Sequence, residues 1–327
     1  MFSYRHAFHA GNHADVLKHT VLIAVLKHLT EKDAALTVLD THAGAGLYRL
    51  DGDYSATSGE ATNGVLRLLA QAKPAAKAVA KPVALSAKKT RDGAATAASK
   101  AASVPETAGA LRDYLDLIAT FNSHKDSFKI YPGSPFIIQR FLKGRDKLKA
   151  IELHPTDSKT LSANIAQLEA GRQVAVLRED GFEGIKKFLP PPVKRALVLC
   201  DPSYEIKSDY ARVTEMVADA LKRFATGTYA VWYPIIPRPE AHDVPRKLKT
   251  LANKSSRAWL HATLTVKSSK LLSDDQGEVV RPGLPASGMF VINPPHTLKA
   301  AMAEALPQMV ACLAQDSHAT FTLDSGA

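Results

Sequence analysis

The chain has 327 residues, 46% hydrophobic and 23% charged, and its 42 lysines and arginines against 32 acids leave a net charge of +10. That composition excludes a disordered, collagen-like or coiled-coil chain, and no apolar run approaches the ~18–20 residues needed to cross a bilayer. The positive excess points to a polyanionic partner. Two cysteines, Cys200 and Cys312, with no C-x-x-C, argue against a disulfide framework, a zinc finger or an iron–sulfur site, and fit a cytoplasmic protein with reduced thiols. The polar, His-rich start lacks the apolar stretch of a secretory signal.

In chain order, an N-terminal arm ends near Asn12, and Asn12 with Asp15 three residues on marks a helix start. Leu22, Val25, Leu26 and Leu29 then repeat on one helical face. A strand over 35–40 follows and runs straight into Thr41–Gly46. Residues 71–104 are nearly all Ala, Lys, Pro, Ser, Thr and Val, carry a net +6, and have too few large apolar residues to build a core. A helical stretch is expected around 108–122. Tyr131-Pro-Gly-Ser-Pro135 leads into an apolar helix over 135–143. Apolar runs at 148–153, 174–177, 196–200 and 229–233 alternate with helix-like segments. Two late runs, 259–266 and 289–292, flank a Gly/Pro-rich loop and suit an antiparallel pair at a sheet edge. This rhythm predicts a mainly parallel, doubly wound sheet of seven strands.

Asp40-Thr-His-Ala-Gly-Ala-Gly46 closes the first strand. Gly44 and Gly46 let backbone approach a ligand and tolerate positive φ. A G-x-G without the third glycine disfavours a dinucleotide, and the D-x-x-x-G-x-G form resembles the first motif of class I S-adenosylmethionine methyltransferases. Glu152 ends the second strand, where a carboxylate can accept from a ribose diol. Asp180-Gly181 follows the third strand, and Asp180 could accept from an adenine amino group. All three motifs end successive strands on one sheet edge, where open α/β folds bind ligands.

The fourth strand ends Asp201-Pro202-Ser203-Tyr204, which resembles the (D/N)-P-P-(Y/F/W) motif of amino-methylating enzymes. An exocyclic adenine amine is a poor nucleophile because its lone pair is delocalised. Asp201 and the following backbone carbonyl can accept its two N–H groups and aim the lone pair at a sulfonium methyl. Asp201 could also take the proton. Pro202 stiffens the turn, and Tyr204 offers a stacking face for an extruded base. Asn293-Pro-Pro-His296 matches the first motif positions better, but it closes the last strand rather than the fourth. His6, His9 and His13 are spaced three and four, yet Gly11 and Asn12 interrupt any helix through them and no carboxylate or cysteine completes a set, so no metal is expected. The arm is instead expected to fold over cofactor or substrate, with Tyr4, Arg5 and Lys18 suited to a nucleotide.

With these motifs in place, the segments 3–19, 39–46, 131–135, 152–155, 180–181, 229–234 and 286–295 resemble the RlmJ family, bacterial adenine-N6 methyltransferases of 23S ribosomal RNA. The resemblance covers nearly the whole chain except 71–104. It implies a class I fold with a helical subdomain inserted between strands one and two: arm, first helix and start of the methyltransferase domain at 1–46, insertion at 47–147, remainder at 148–327. It implies S-adenosylmethionine as cofactor, contacted by Lys18, His19, Asp40, His42, Gly44, Gly46, Ser134, Glu152, Asp180, Gly181 and Asp201. It implies catalysis by Asp201, Pro202 and Tyr204 at the family target, adenine 2030, with Tyr4 and Tyr204 on the RNA. The partner is then 23S RNA, protein-free or in an early assembly intermediate, and the protein a cytoplasmic monomer. Ser203 departs from the family's proline. Two other readings compete: DNA adenine or protein glutamine as substrate, and a non-catalytic RNA-binding protein of ribosome assembly.

Overall fold

The computed structural model describes residues 6–52, 59–72, 106–122, 128–270, 272–273, 279–280 and 283–327. Tyr4, Arg5 and nearly all of the Ala/Lys-rich stretch lie outside them.

Helix α1 (His13–Glu31) starts where Asn12, in extended geometry, accepts from the Asp15 N–H through its side chain. Leu22, Val25 and Leu26 are buried, as the spacing requires, but so is most of the helix, including His13, Asp15, Lys18 and His19. A helix polar on one side and still buried has something other than water to face there.

Strand β1 (Thr37–Asp40) is followed by β2 (Leu47–Arg49), α2 (Val65–Ala72), α3 (Gly109–Ala119), β3 (Ile130–Pro132) and α4 (Ser134–Phe141). The parallel strands continue with β4 (Lys147–Ile151), β5 (Val174–Leu177), β6 (Ala196–Cys200) and β7 (Thr228–Ile235), separated by α5 (Pro155–Ala166), α6 (Gly181–Gly184) and α7 (Ser208–Arg223). Helix α8 (Pro239–Lys254), β8 (Trp259–Thr265), β9 (Leu272–Ser273), β10 (Val279–Val280), β11 (Ala286–Ile292), α9 (Leu298–Leu313) and β12 (Thr320–Gly326) complete the chain.

The main sheet has the order β12-β8-β11-β7-β6-β1-β4-β5. Pairing is parallel from β7 through β5 and antiparallel at β7/β11, β11/β8 and β8/β12. All seven expected strands form, and β8 and β11 are the expected antiparallel pair. An eighth strand, β12, is the edge they were expected to make. Its residues alternate exposed and half-buried, so it carries no apolar run to mark it.

Strands β1, β6 and β7 read as largely apolar runs because both faces are covered, whereas β4, with Lys147 and Lys149 half-buried, and the edge strand β5 are covered less fully. Val38, Leu197 and Leu199 face one core with α1, α3, α4 and α9; Leu39, Val198 and Cys200 face the other with α7 and α8. Between β1 and β4, Leu111, Tyr114 and Ile118 of α3 and Val65 and Leu68 of α2 join the first core. The described part of 47–147 is therefore packed onto the sheet's own helices. Among the described residues, no helix is long and apolar enough to cross a membrane.

Candidate active site

Strand order reverses at β1, with β4 on one side and β6 on the other. The loops leaving the carboxyl ends of β1, β4, β5 and β6 open there into a cleft, the place where α/β sheets bind ligands. The β1 loop is pinned by its backbone: Thr41 N–H donates to Leu199, Ala43 N–H to Ile151, and Gly133 N–H to Gly46 O at 2.7 Å. Gly44 and Gly46 adopt φ of +60° and +80°. A Cβ at Gly44 would strike the Tyr48 hydroxyl, and one at Gly46 would strike Phe136 and Leu161.

Gly44, His42, Ser134, Glu152, Asp180 and Gly181 line this cleft, as do Lys18, His19, Asp201 and Pro202. Ten residues expected to meet cofactor or substrate are thus brought together from six elements. Glu152 Oε2 accepts from Gly44 N–H at 2.8 Å and Oε1 from His154 N–H at 2.7 Å, so the carboxylate is oriented by backbone on both sides. Burial raises its pKa. Asp180 caps α6 through the N–H groups of Phe182 and Glu183, and its other oxygen meets Arg212 at 2.8 Å. Burial works to raise it, but the Arg212 contact wins and lowers it. Gly181 sits against Thr41 O with no room for a side chain. The His42 ring stands edge-on to Phe182 at 4.8 Å, and burial holds it down to about 4, neutral at pH 7. His19 Nδ1 bonds the Tyr131 hydroxyl at 2.8 Å while Nε2 has no partner among the described residues. Burial holds His19 down to about 3.

Three expected residues are placed differently. Asp40 lies beneath the cleft, fully buried, beside Ser134 and the His42 backbone. Burial, with the nearby Asp201 charge adding, pushes it up to about 7. Gly46 shapes the loop without reaching the cleft. Tyr204 is packed away: 3% exposed, at φ +54°, with its hydroxyl donating to Trp232 O at 2.7 Å and its ring against Tyr210. The turn that presents Asp201 and Ser203 outward sends Tyr204 inward, so its ring is not a stacking face in this conformation. Tyr4 lies outside the described residues.

A second chamber adjoins the cleft and shares His6, Lys18, Asp201 and Ser203 with it. Trp232, Pro234, Ile236 and Arg238 form one wall, and Leu284 and Pro285 another. Strand β7 supplies the first wall at its carboxyl end, and His13 Nε2 donates to Leu284 O at 2.9 Å to tie the second to α1. None of these was marked as a site residue by motif reading. Their signal is only that an aromatic–proline run, Trp232-Tyr233-Pro234, ends a strand beside β6.

Between the chambers sits a buried ion-pair chain. Lys18 Nζ contacts Asp201 Oδ2 and lies 2.8 Å from Asp15 Oδ1, and Asp15 Oδ2 lies 3.0 Å from His6 Nε2. Burial alone would raise Asp15, but His6 and Lys18 hold it well below the usual carboxylate range. Burial would lower Lys18, but Asp15 and Asp201 outweigh it and raise it. The arm histidines diverge: His6 to Asp15, His9 to Glu60 at 3.0 Å, and His13 to Leu284.

Asn293 is at the far end of the molecule. Strand β11 runs antiparallel, so its carboxyl end, where Ile292 pairs with Tyr229, lies at the amino ends of the parallel strands. Asn293 Nδ2 there donates to the carbonyls of Ala225 and Gly227.

A cleft at the switch point, walled by Glu152, Asp180 and Asp201 and holding the unpartnered His19 Nε2, suits a ligand that carries a ribose, an amine and a cationic sulfur. Fold and site together define a class I methyltransferase with S-adenosylmethionine as methyl donor. The family model described as "Ribosomal RNA large subunit methyltransferase D, RlmJ" matches residues 33–83 and 84–324, and the chain belongs to that family. The break in the match falls within the Ala/Lys-rich stretch. The chain is 35% identical to ribosomal RNA large subunit methyltransferase J of Escherichia coli over 98% of both chains. It is 36% identical to that of Haemophilus influenzae over 99% of this chain and 98% of the relative. The crystal structure of protein LPL1258 from Legionella pneumophila superimposes with a TM-score of 0.76 at 26% identity, covering 98% of this chain and 99% of that one.

Proposed function

We propose that this protein methylates N6 of one adenine in 23S ribosomal RNA, acting as a cytoplasmic monomer on protein-free RNA or an early assembly intermediate. The observation that carries the reading is Asp201. It stands at the carboxyl end of β6, on the boundary between the cofactor cleft and the second chamber, with Pro202 and Ser203 beside it.

S-adenosylmethionine supplies an electrophilic methyl group on a sulfonium sulfur. In this reading Glu152 takes the ribose diol, Asp180 the adenine amino group of the cofactor, and His19, Ser134 and Lys18 its amino-acid end. Asp40, buried beneath the β1 loop, supports that loop rather than touching the ligand. On the other side, the second chamber takes the target base. Asp201 and the Pro202 carbonyl accept the two N–H groups of adenine N6, which turns the nitrogen lone pair toward the cleft and favours the positive charge that develops there. Methyl transfer leaves the sulfur as a neutral thioether and N6 as a methylated cation that still carries both N–H protons; these are far more acidic than those of the free amine, and one passes to Asp201 or to solvent. Trp232 supplies the apolar ring face expected of Tyr204, and Tyr204 buttresses it through its hydrogen bond to Trp232 O. Ser203 borders both chambers and removes no group from this chemistry. Preference for RNA is supported by the family and by the +10 charge.

The test is methyl transfer from labelled S-adenosylmethionine to protein-free 23S RNA from cells lacking the gene, followed by nucleoside analysis. A single N6-methyladenosine, absent with Asp201→Ala, is the expected result. Incorporation only into duplex DNA, or activity retained by Asp201→Ala, overturns the reading.

A further inference from the structure

We propose that Asp15 is a positioning residue for methyl transfer: its carboxylate anchors the Lys18 ammonium on Asp201 and joins the arm's His6 to that pair. The inference rests on the methyl-transfer reading above.

An acid in the first turn of a helix usually faces solvent and complements the exposed N–H groups. Asp15 does not. Its N–H meets the capping side chain of Asn12, and its own side chain turns inward, 1% exposed. Both oxygens are engaged. Oδ2 accepts from Gly11 N–H at 2.8 Å and faces His6 Nε2 at 3.0 Å. Oδ1 takes Lys18 Nζ at 2.8 Å.

A lysine ammonium rides on four flexible methylenes, and nothing in its own stem fixes where it lies. Once buried, it must be held by compensating charge. Lys18 is 4% exposed and has two carboxylates against it. Asp201 comes from a loop that must accept a substrate. Asp15 is on the rigid helix that carries Lys18, with a backbone amide and a histidine holding it in turn. Asp15 is therefore the fixed end of the chain and Asp201 the working end. Asp15 borders the second chamber but not the cofactor cleft, so its effect on the acceptor passes through Lys18. His6 borders both chambers, and its bond to Asp15 links the arm's seating to the geometry of Asp201.

The experiment uses the full chain with labelled S-adenosylmethionine and 23S RNA, comparing wild type with Asp15→Asn and Asp15→Glu. Asn keeps size and an acceptor for Gly11 N–H but loses the charge; Glu keeps the charge and displaces it by one methylene. The expected result is a kcat lowered roughly 10- to 100-fold by misplacement of the reacting groups, with KM for RNA unchanged and a change in cofactor Kd, passed on through Lys18, well below the change in kcat. An unchanged kcat in a folded variant overturns the proposal. So does a loss of cofactor affinity as large as the loss of kcat, or failure of both variants to fold, since neither leaves Asp15 a role in positioning the reacting groups. Wild type inactive on RNA in the same assay overturns the underlying reading instead.

Discussion

Lys18 and Asp201, 183 positions apart in the chain, meet as a buried ion pair where the cofactor cleft joins the second chamber. Breaking a buried pair by removing one partner leaves an uncompensated charge, at a cost of about 3–5 kcal/mol. Lys18→Met leaves two carboxylates, Asp15 and Asp201, facing one another. It is expected to lower the unfolding free energy by an amount of that order and to abolish methyl transfer. Denaturant unfolding alongside single-turnover assays checks both, and a variant as stable and as active as wild type refutes the pairing.

Glu152 is oriented by Gly44 and His154 N–H groups. Hydrogen bonds to a charged group contribute about 1.5–3 kcal/mol, so Glu152→Ala should weaken S-adenosylmethionine binding by roughly 10- to 100-fold. Calorimetric titration of the cofactor measures this directly. Unchanged affinity would move the ribose contact elsewhere.

Tyr204 and Trp232 separate structural support from substrate contact. Tyr204→Phe loses the hydrogen bond to Trp232 O, for a loss of about 0.5–1.5 kcal/mol with little change in KM for RNA. Trp232→Ala should instead raise that KM, base–aromatic stacking being worth about 1–3 kcal/mol per base. The reverse pattern would restore Tyr204 as the stacking face.

Asp40 predicts a pH dependence of stability. Its pKa rises from 3.8 to about 7 on folding, so the folded state binds the proton more tightly. Its contribution is fully retained below the unfolded value and is lost as pH climbs through the folded one. Stability should therefore fall between about pH 4 and pH 7 on its account, and Asp40→Asn should flatten that part of the curve. Melting temperatures measured across this range, wild type against variant, show whether the slope difference exists.

The stretch 71–104 carries a net +6. Cations that neutralise phosphates make binding fall steeply with salt. Deleting 73–104 should leave melting unchanged and reduce the salt slope of RNA binding. An unchanged slope means that these charges do not meet the RNA.

The elements with strong local signals were readable from residues alone. Asn12 ahead of Asp15 starts α1 because an N-cap is a local hydrogen bond. Strands β1, β6 and β7 announce themselves because burial on both faces demands apolar runs, and β4 and β5 by shorter runs in the same βα rhythm. Gly44, Glu152, Asp180 and Asp201 stand out because each ends a strand, and the βα order alone places those ends together. Strand β12 was not legible, since a half-exposed edge strand has no run to read. Neither was the inward turn of Tyr204, which follows from its positive φ, nor the wall formed by Trp232, Leu284 and Pro285, which exists only because β11 inserts antiparallel beside β7. Asp15 shows the division most sharply. Its place at the start of a helix is a property of four consecutive residues. That its side chain turns away from solvent to hold Lys18 against Asp201 is decided by a sheet that brings residues 183 positions apart to one buried point, where charge must be matched.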